Sequence, residues 1–335
     1  MGGSRGIAPR PALDAHVVSR AHELEAILVR SIRGALAALP RRAACGVGAG
    51  LGDLVRRLGI RSAVARDNLA LAFPDRSEQE RASILREHYR DLGRMIGEYA
   101  HPDMVHAPEG EVIAQARGLD HLDTVQRQGR GAILLTGHYG NFGLLAACLG
   151  RLNPVDIAGK AIENPHVEAL LVEIGGKAGV GRIRFDHGAR RVFAALKENR
   201  WVTLMADQDA GRAGAFVPFF GRPSSTWLGP ASISLRTGAP LVMAFIGRRD
   251  DGRHEIDVLP PLELSQPGAT DAALALTALH TAMLERWVRR QPAMWFWLHR
   301  RWKTRPPEAA HRTPVETSGE AKEAGDADQP LAGRA

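Results

Sequence analysis

Cysteine is scarce in this chain: two in 335 residues, Cys45 and Cys148. They offer neither a disulfide framework nor metal-ligand spacing, and they suit a reducing compartment. Aromatic residues are only 5%, and no zinc finger or aromatic RNA-binding motif occurs, so nucleic acid is not expected as a partner. No apolar run reaches the roughly 20 residues that a membrane-spanning helix needs. The N-terminus lacks an apolar stretch followed by a cleavage site and does not read as a secretory signal. Also missing are a Gly-x-Ser-x-Gly elbow, a Walker loop and a His-Glu-x-x-His pair. Nothing requires a metal, and no bound cofactor is expected.

What is present is enough apolar material, 44% of residues, for one large α/β domain or two small ones. The net charge is +7, but the tail from Pro307 carries −3, which leaves +10 on the body. A basic body favours anionic partners such as lipid headgroups or an acidic carrier protein.

The most telling stretch starts with the apolar run Gly131-Ala132-Ile133-Leu134-Leu135-Thr136, which predicts a short buried strand. The glycines of Gly137-His138-Tyr139-Gly140-Asn141-Phe142-Gly143 then predict a tight turn, and Leu144 to Leu149 the start of a helix. That places His138 at the carboxyl end of a strand facing a helix N-terminus, where α/β proteins concentrate their chemistry. A neutral imidazole there can take a proton from an alcohol, and nearby backbone N–H groups can receive developing negative charge.

Elsewhere the pattern is helical from Val17 to Ile60, with a break near Pro40. Gly46, Gly48, Gly50 and Gly52 have the wrong spacing for a dinucleotide loop and suggest close helix packing or interfacial adaptability. Ser77 and Glu80 form a capping-box pattern for a helix to about Ala100. Strands are expected at 155–158, 182–185 and 201–206, and helices after Pro165, at 188–199, 230–236 and 270–290. An antiparallel pair, 241–248 with 255–259, is expected at one sheet edge. The alternation implies an α/β fold, a mixed central sheet flanked by helices. The expected organisation is a disordered 1–15, an N-terminal helical membrane-associating segment at 16–105, an α/β domain at 106–305 and a disordered tail at 306–335. The adjacent Asp186 and His187 are not expected to form a dyad.

Four ordered blocks resemble the lipid A biosynthesis late acyltransferase family, over roughly residues 30–305. They are Asn68 to Pro74; the His138 turn; Asp207-Gln208-Asp209-Ala210-Gly211 with Gly214 to Gly221, Thr226 and Gly229-Pro230-Ala231; and Trp295 to Lys303. The resemblance implies a glycerolipid-acyltransferase-like fold. It also implies acyl transfer from acyl carrier protein or acyl-CoA, as co-substrate, to a lipid A-like glycolipid or other membrane amphiphile. The place of action would be the cytoplasmic face of a bacterial inner membrane, with the chain peripheral or interfacially anchored.

His138 is then the expected general base, with Gly140 and Asn141 supplying N–H groups to the oxyanion. The family follows its histidine five residues later with an acidic residue, and here that position is Gly143. Three explanations compete. Another carboxylate, Asp207 or Asp209, approaches His138 in space; an unassisted histidine works on a more reactive donor; or the protein binds lipid or carrier without catalysis. Lys160 replaces a usual arginine, keeping charge while losing the planar fork. Lys160 and Arg212 are candidates for anionic groups, and Gln208 for substrate. Phe216, Phe219 and Phe220 contact an acyl chain or fill the core. Trp295, Trp297 and Trp302, beside Arg300, Arg301 and Lys303, suit either a headgroup layer or the core.

Overall fold

The computed structural model describes residues 20–185, 189–264 and 271–307. The expected disorder of 1–15 and of the tail beyond 307, and the Asp186-His187 pair, lie outside the described residues. The described residues up to Arg305 belong to one unit.

Proline and glycine set the helical part. Pro40 divides α1 (Arg20–Ala37) from α2 (Arg41–Arg57) and occupies the N-cap of α2 at φ −54°, close to the angle its ring imposes. After α3 (Ser62–Ala72), α4 (Glu78–Tyr99) starts on the expected box: Ser77 caps Glu80 N, and Glu80 Oε2 returns to Ser77 N at 2.8 Å. Helices α2 and α4 touch through glycine. A Cβ on Gly48 would lie 2.1 Å from Gly93 O, and one on Gly52 2.0 Å from Tyr89 O. Close helix packing is therefore the role of Gly48 and Gly52. Gly46 and Gly50 have nothing within 4 Å of such a Cβ.

The sheet has seven strands among the described residues, in the order β1 (Ile113–Arg117), β9 (His254–Pro261), β8 (Leu241–Arg248), β2 (Ala132–Thr136), β5 (Trp201–Met205), β3 (Val155–Gly159) and β4 (Val180–Arg184). Neighbours are parallel except β8 and β9. The antiparallel pair was expected at a sheet edge. It is not there, because β1 pairs outside β9. The Ile113-Ala-Gln-Ala-Arg sequence of β1 has only one large apolar residue and lies half-exposed to exposed, so it leaves little strand pattern. The central strands are buried on both faces and alternate between two cores. Ile133 and Leu135 of β2 join one core; Ala132 and Leu134 join the other.

The helices α5 (Leu119–Arg127), α6 (Phe142–Gly150), α7 (Pro165–Lys177), α8 (Arg190–Lys197), α9 (Gly229–Thr237) and α10 (Ala272–Arg290) cover the sheet. A hairpin of β6 (Ala215–Phe219) and β7 (Arg222–Thr226) lies in the third of the recognised blocks, between Gly214 and Thr226. Its Phe219 and Phe220 are core residues. So are Trp295 and Trp297, at 1% and 0% exposure. The headgroup reading of the tryptophan-rich segment is corrected for these two: their rings stack edge-on, 4.7 Å apart, inside the protein. Arg301 is buried with them and donates to Ser225 O, Ser224 Oγ and Thr226 Oγ1 of β7.

Candidate active site

Parallel register brings the principal residues together. Thr136, the last residue of β2, is opposite Met205, the last of β5. His138 and Asp207 each follow two residues later, so both emerge from the same end of adjacent strands. His138 Nδ1–H donates to Asp207 Oδ1 at 2.7 Å, and the His138 backbone N–H donates to Oδ2 at 2.7 Å. Trp295 Nε1–H adds a third bond to Oδ2 at 2.8 Å. Of the two carboxylates considered for His138, Asp207 is the one that reaches it.

These contacts set the charge states. Burial by itself would raise the Asp207 carboxyl. The His138 charge, its two hydrogen bonds and that of Trp295 outweigh burial and hold it at about 2. Burial would likewise lower the His138 imidazole, and the charge and hydrogen bond of Asp207 bring it above its ordinary value. A carboxylate accepts only, so Nδ1 carries the proton and Nε2 is left as the basic atom. His138 keeps 24% side-chain exposure against 2% for Asp207. The rings of Phe142 and Phe296, with centroids 5.7 and 6.2 Å away, flank the imidazole.

His138 opens on a cavity of about 810 Å³, within the range of small-molecule sites. Apolar side chains of α4, α6 and α7 line its depth, among them Met95, Leu144, Ala147, Leu171 and Ile174. Lys160, Arg182 and Gln208 contribute polar groups. Lys160 is exposed, and its carbonyl accepts from Arg182 Nη2 at 2.7 Å. Gln208 Nε2 lies 3.5 Å from His138 Nε2.

Other expected site residues have different employment. Gly140 sits at φ +54°, where a Cβ would meet Ile246 O at 2.1 Å, and its N–H donates to Met294 O at 2.9 Å. That donor is already bound, which removes it as an oxyanion donor. Asn141 is the N-cap of α6: its Oδ1 accepts from Leu144 N at 2.9 Å, and its Nδ2 donates to Glu98 Oε2 at 2.9 Å. Its side chain is thus turned into the protein, while its backbone N–H, the group expected at the oxyanion, is not engaged by these bonds. The N–H groups of Phe142 and Gly143, in the first turn of α6, precede any intrahelical bond and are the donors this helix end presents. Asp209 does not bond His138; it accepts from Thr304 N, Thr304 Oγ1 and Gly211 N. Arg212 is exposed and is not among the residues lining the cavity.

Trp295, Glu98 and Tyr99 were not anticipated in the site. Trp295 belongs to a recognised block, but nothing local ties it to Asp207. The blocks do converge. Asn68 Nδ2 donates to Trp297 O and His299 O at 2.8 and 2.6 Å, and Phe296 N–H donates to His138 O at 2.9 Å.

A family profile described as bacterial lipid A biosynthesis acyltransferase matches residues 20–304. The lipid A biosynthesis palmitoleoyltransferase of Escherichia coli (strain K12) is 30% identical over 279 residues, 80% of this chain and 87% of that protein. The lipid A biosynthesis lauroyltransferase of the same organism is 32% identical over 269 residues, covering 78% and 85%. A phosphatidylinositol mannoside acyltransferase of Mycolicibacterium smegmatis is 29% identical over 206 residues, covering 60% and 66%. With nearly the whole described structure inside the matched span, the chain belongs to the bacterial lipid A biosynthesis acyltransferase family.

Proposed function

We propose that the protein transfers a fatty acyl group from a thioester, carried by acyl carrier protein or coenzyme A, to a hydroxyl of an anionic glycolipid of the lipid A kind. The observation that carries this reading is the His138–Asp207 pair, with the imidazole bordering a largely apolar cavity of about 810 Å³. The cavity is the place for the acyl chain. His138 Nε2 takes the acceptor proton while Asp207 orients the ring and stabilises the imidazolium. The Phe142 and Gly143 N–H groups face the carbonyl oxygen as charge builds on it. Lys160 holds an anionic group of the acceptor, and Gln208 positions the reacting hydroxyl beside Nε2.

The relatives' names include both lipid A and phosphatidylinositol mannoside, so the acceptor is proposed as a class. The rival reading, a lipid- or carrier-binding protein without catalysis, draws on Gly143. With Asp207 hydrogen-bonded to His138, no particular observation favours it.

Membrane association is proposed at the cytoplasmic face of the inner membrane. Leu24, Ile27 and Leu28 of α1 are 60% or more exposed. Val47, Leu51, Leu54 and Leu58 form a second exposed stripe along and just past α2. Arg30, Arg42, Arg57 and Arg61 are exposed in the same segment. Apolar stripes beside cations suit helices lying in the headgroup boundary. Among the described residues, no helix is long and apolar enough to cross a membrane.

Lipid extracts compared by mass spectrometry test the reaction. The source strains are a deletion, its wild-type complement, and a His138→Ala complement at matched protein level. One acyl group absent from a glycolipid in the first and third is the expected result. Full restoration by His138→Ala would overturn the mechanism.

A further inference from the structure

Position 143 is glycine, and the space beside it is already taken. A Cβ there would lie 3.0 Å from Tyr99 Oη and 3.1 Å from Tyr99 Cε1. The phenol of Tyr99 thus occupies ground into which a side chain at 143 would project. Glycine is what lets the phenol approach the first turn of α6 so closely.

The position of Tyr99 is fixed by its neighbour. Tyr99 is the last residue of α4. Glu98 accepts from Asn141 Nδ2 at 2.9 Å, and Asn141 caps α6. The end of α4 is therefore clamped to the start of α6, and the phenol is held over Gly143. Tyr99 and Gly143 line the same cavity as His138. Among the described residues no hydrogen bond engages the Tyr99 hydroxyl. Burial first, and then the nearby Glu98 carboxylate, push its ionisation far above the ordinary phenol range, so it remains an O–H donor.

We propose that Tyr99 is a catalytic residue of the acyl transfer. Its hydroxyl joins the Gly143 N–H as a donor to the thioester carbonyl oxygen. This inference rests on the reaction proposed above. As the acceptor oxygen bonds to the carbonyl carbon, its proton passes to His138 Nε2 and the carbonyl π pair moves onto oxygen. Tyr99 O–H and the N–H groups of α6 bind that oxyanion. The tetrahedral species then collapses, the C–S bond breaks with its electron pair on sulfur, and His138 returns the proton to the leaving thiolate. On this view Asp207 fills the carboxylate role and glycine at 143 makes room for a neutral donor at the carbonyl.

The experiment uses the purified full chain, lauroyl-acyl carrier protein as donor, and total lipid of the deletion strain as acceptor. Thiol release and acylated lipid are both followed. Tyr99→Phe keeps the ring and removes the hydroxyl. The expected result is a loss of about a hundredfold in kcat, with KM for the donor and the melting temperature close to wild type. Gly143→Ala, which pushes the phenol away, is expected to lower kcat in the wild-type background and to add almost nothing on Tyr99→Phe. A Tyr99→Phe enzyme with wild-type kcat, or with a loss confined to KM, would overturn the role of Tyr99 alone. A His138→Ala chain indistinguishable from wild type would overturn the underlying reaction and Tyr99 with it.

Discussion

Two histidine–carboxylate pairs lie close to the same helix end, and only one leaves a ring nitrogen facing the cavity. His138 meets Asp207 at 2.7 Å, and His254 meets Glu98 at 2.8 Å. Distance does not separate them; the surroundings do. Glu98 is fully buried and shared: Arg248 binds both of its oxygens, Asn141 donates to Oε2, and Arg248 also binds Asp91 at 2.6 Å. His254 is 1% exposed, and its Nδ1 has no partner among the described residues. Glu98 borders the cavity but His254 does not line it, so this pair presents no imidazole nitrogen to a substrate. Asp207, by contrast, spends its bonds on one imidazole, that residue's own N–H and one indole, and the imidazole keeps Nε2 toward the cavity. A catalytic pair is recognised by the atom left free as much as by the bond that is made.

Asp207→Asn breaks the first pair with the largest expected effect. The amide no longer enforces the proton on Nδ1, and kcat is expected to fall by about four orders of magnitude, as in analogous histidine–carboxylate systems. Calorimetry should still find a folded protein, because an amide oxygen accepts from Trp295. Steady-state kinetics at saturating donor decides it: a fall of less than tenfold would mean that Asp207 only holds the loop.

The pH profile sharpens the same contrast. General-base action needs neutral imidazole, so kcat/KM should rise through an apparent pKa above the ordinary 6.5. The stability contribution of His138 runs the other way. Its folded value is raised, so that contribution is complete below 6.5 and fades as pH climbs through the raised value. The contribution of Asp207 is present above 3.8 and is lost as pH falls toward about 2. The pair is thus most stabilising on the acid side of the pH at which Nε2 is free to accept a proton.

Arg248→Met is the matching break in the second pair. It strands Glu98 and Asp91 without their guanidinium, and removing one partner of a buried ion pair costs about 3–5 kcal/mol. Denaturant titration should find that loss, while a refolded fraction still carries an intact His138–Asp207 bond. An undiminished unfolding free energy would show that His254 and Asn141 suffice for Glu98.

Much of this arrangement was legible in the sequence, and the divide is physical. Short-range signals were faithful: the apolar run ending at Thr136, the Ser77–Glu80 box and, of the four glycines of α2, Gly48 and Gly52 report on contacts within a few residues or on one helix face. The pairing of His138 with Asp207 depends on β2 and β5 lying side by side in register. Nothing within either segment encodes that, so it stood as one of three explanations for Gly143. Tyr99 left no signal because its meaning comes from a missing side chain forty-four positions later. The tryptophans were ambiguous because the same residue type serves both headgroup layers and cores.

Asn141 joins the two centres, so its replacement is the finest probe of the comparison. Its Oδ1 caps α6 and its Nδ2 satisfies Glu98. Asn141→Ala loses the cap, at about 1 kcal/mol, while Arg248 Nη2 still serves Glu98 Oε2 at 3.0 Å. Asn141→Asp keeps a cap oxygen for Leu144 N but turns a donor into a second acceptor facing Glu98. Two carboxylates cannot share that site fully ionised. The aspartate variant should therefore lose stability progressively as pH rises from acid to neutral, whereas the alanine variant should lose a nearly constant amount. Parallel pH curves for the two would mean that the Asn141–Glu98 bond carries no load and that α4 is held over α6 by packing alone.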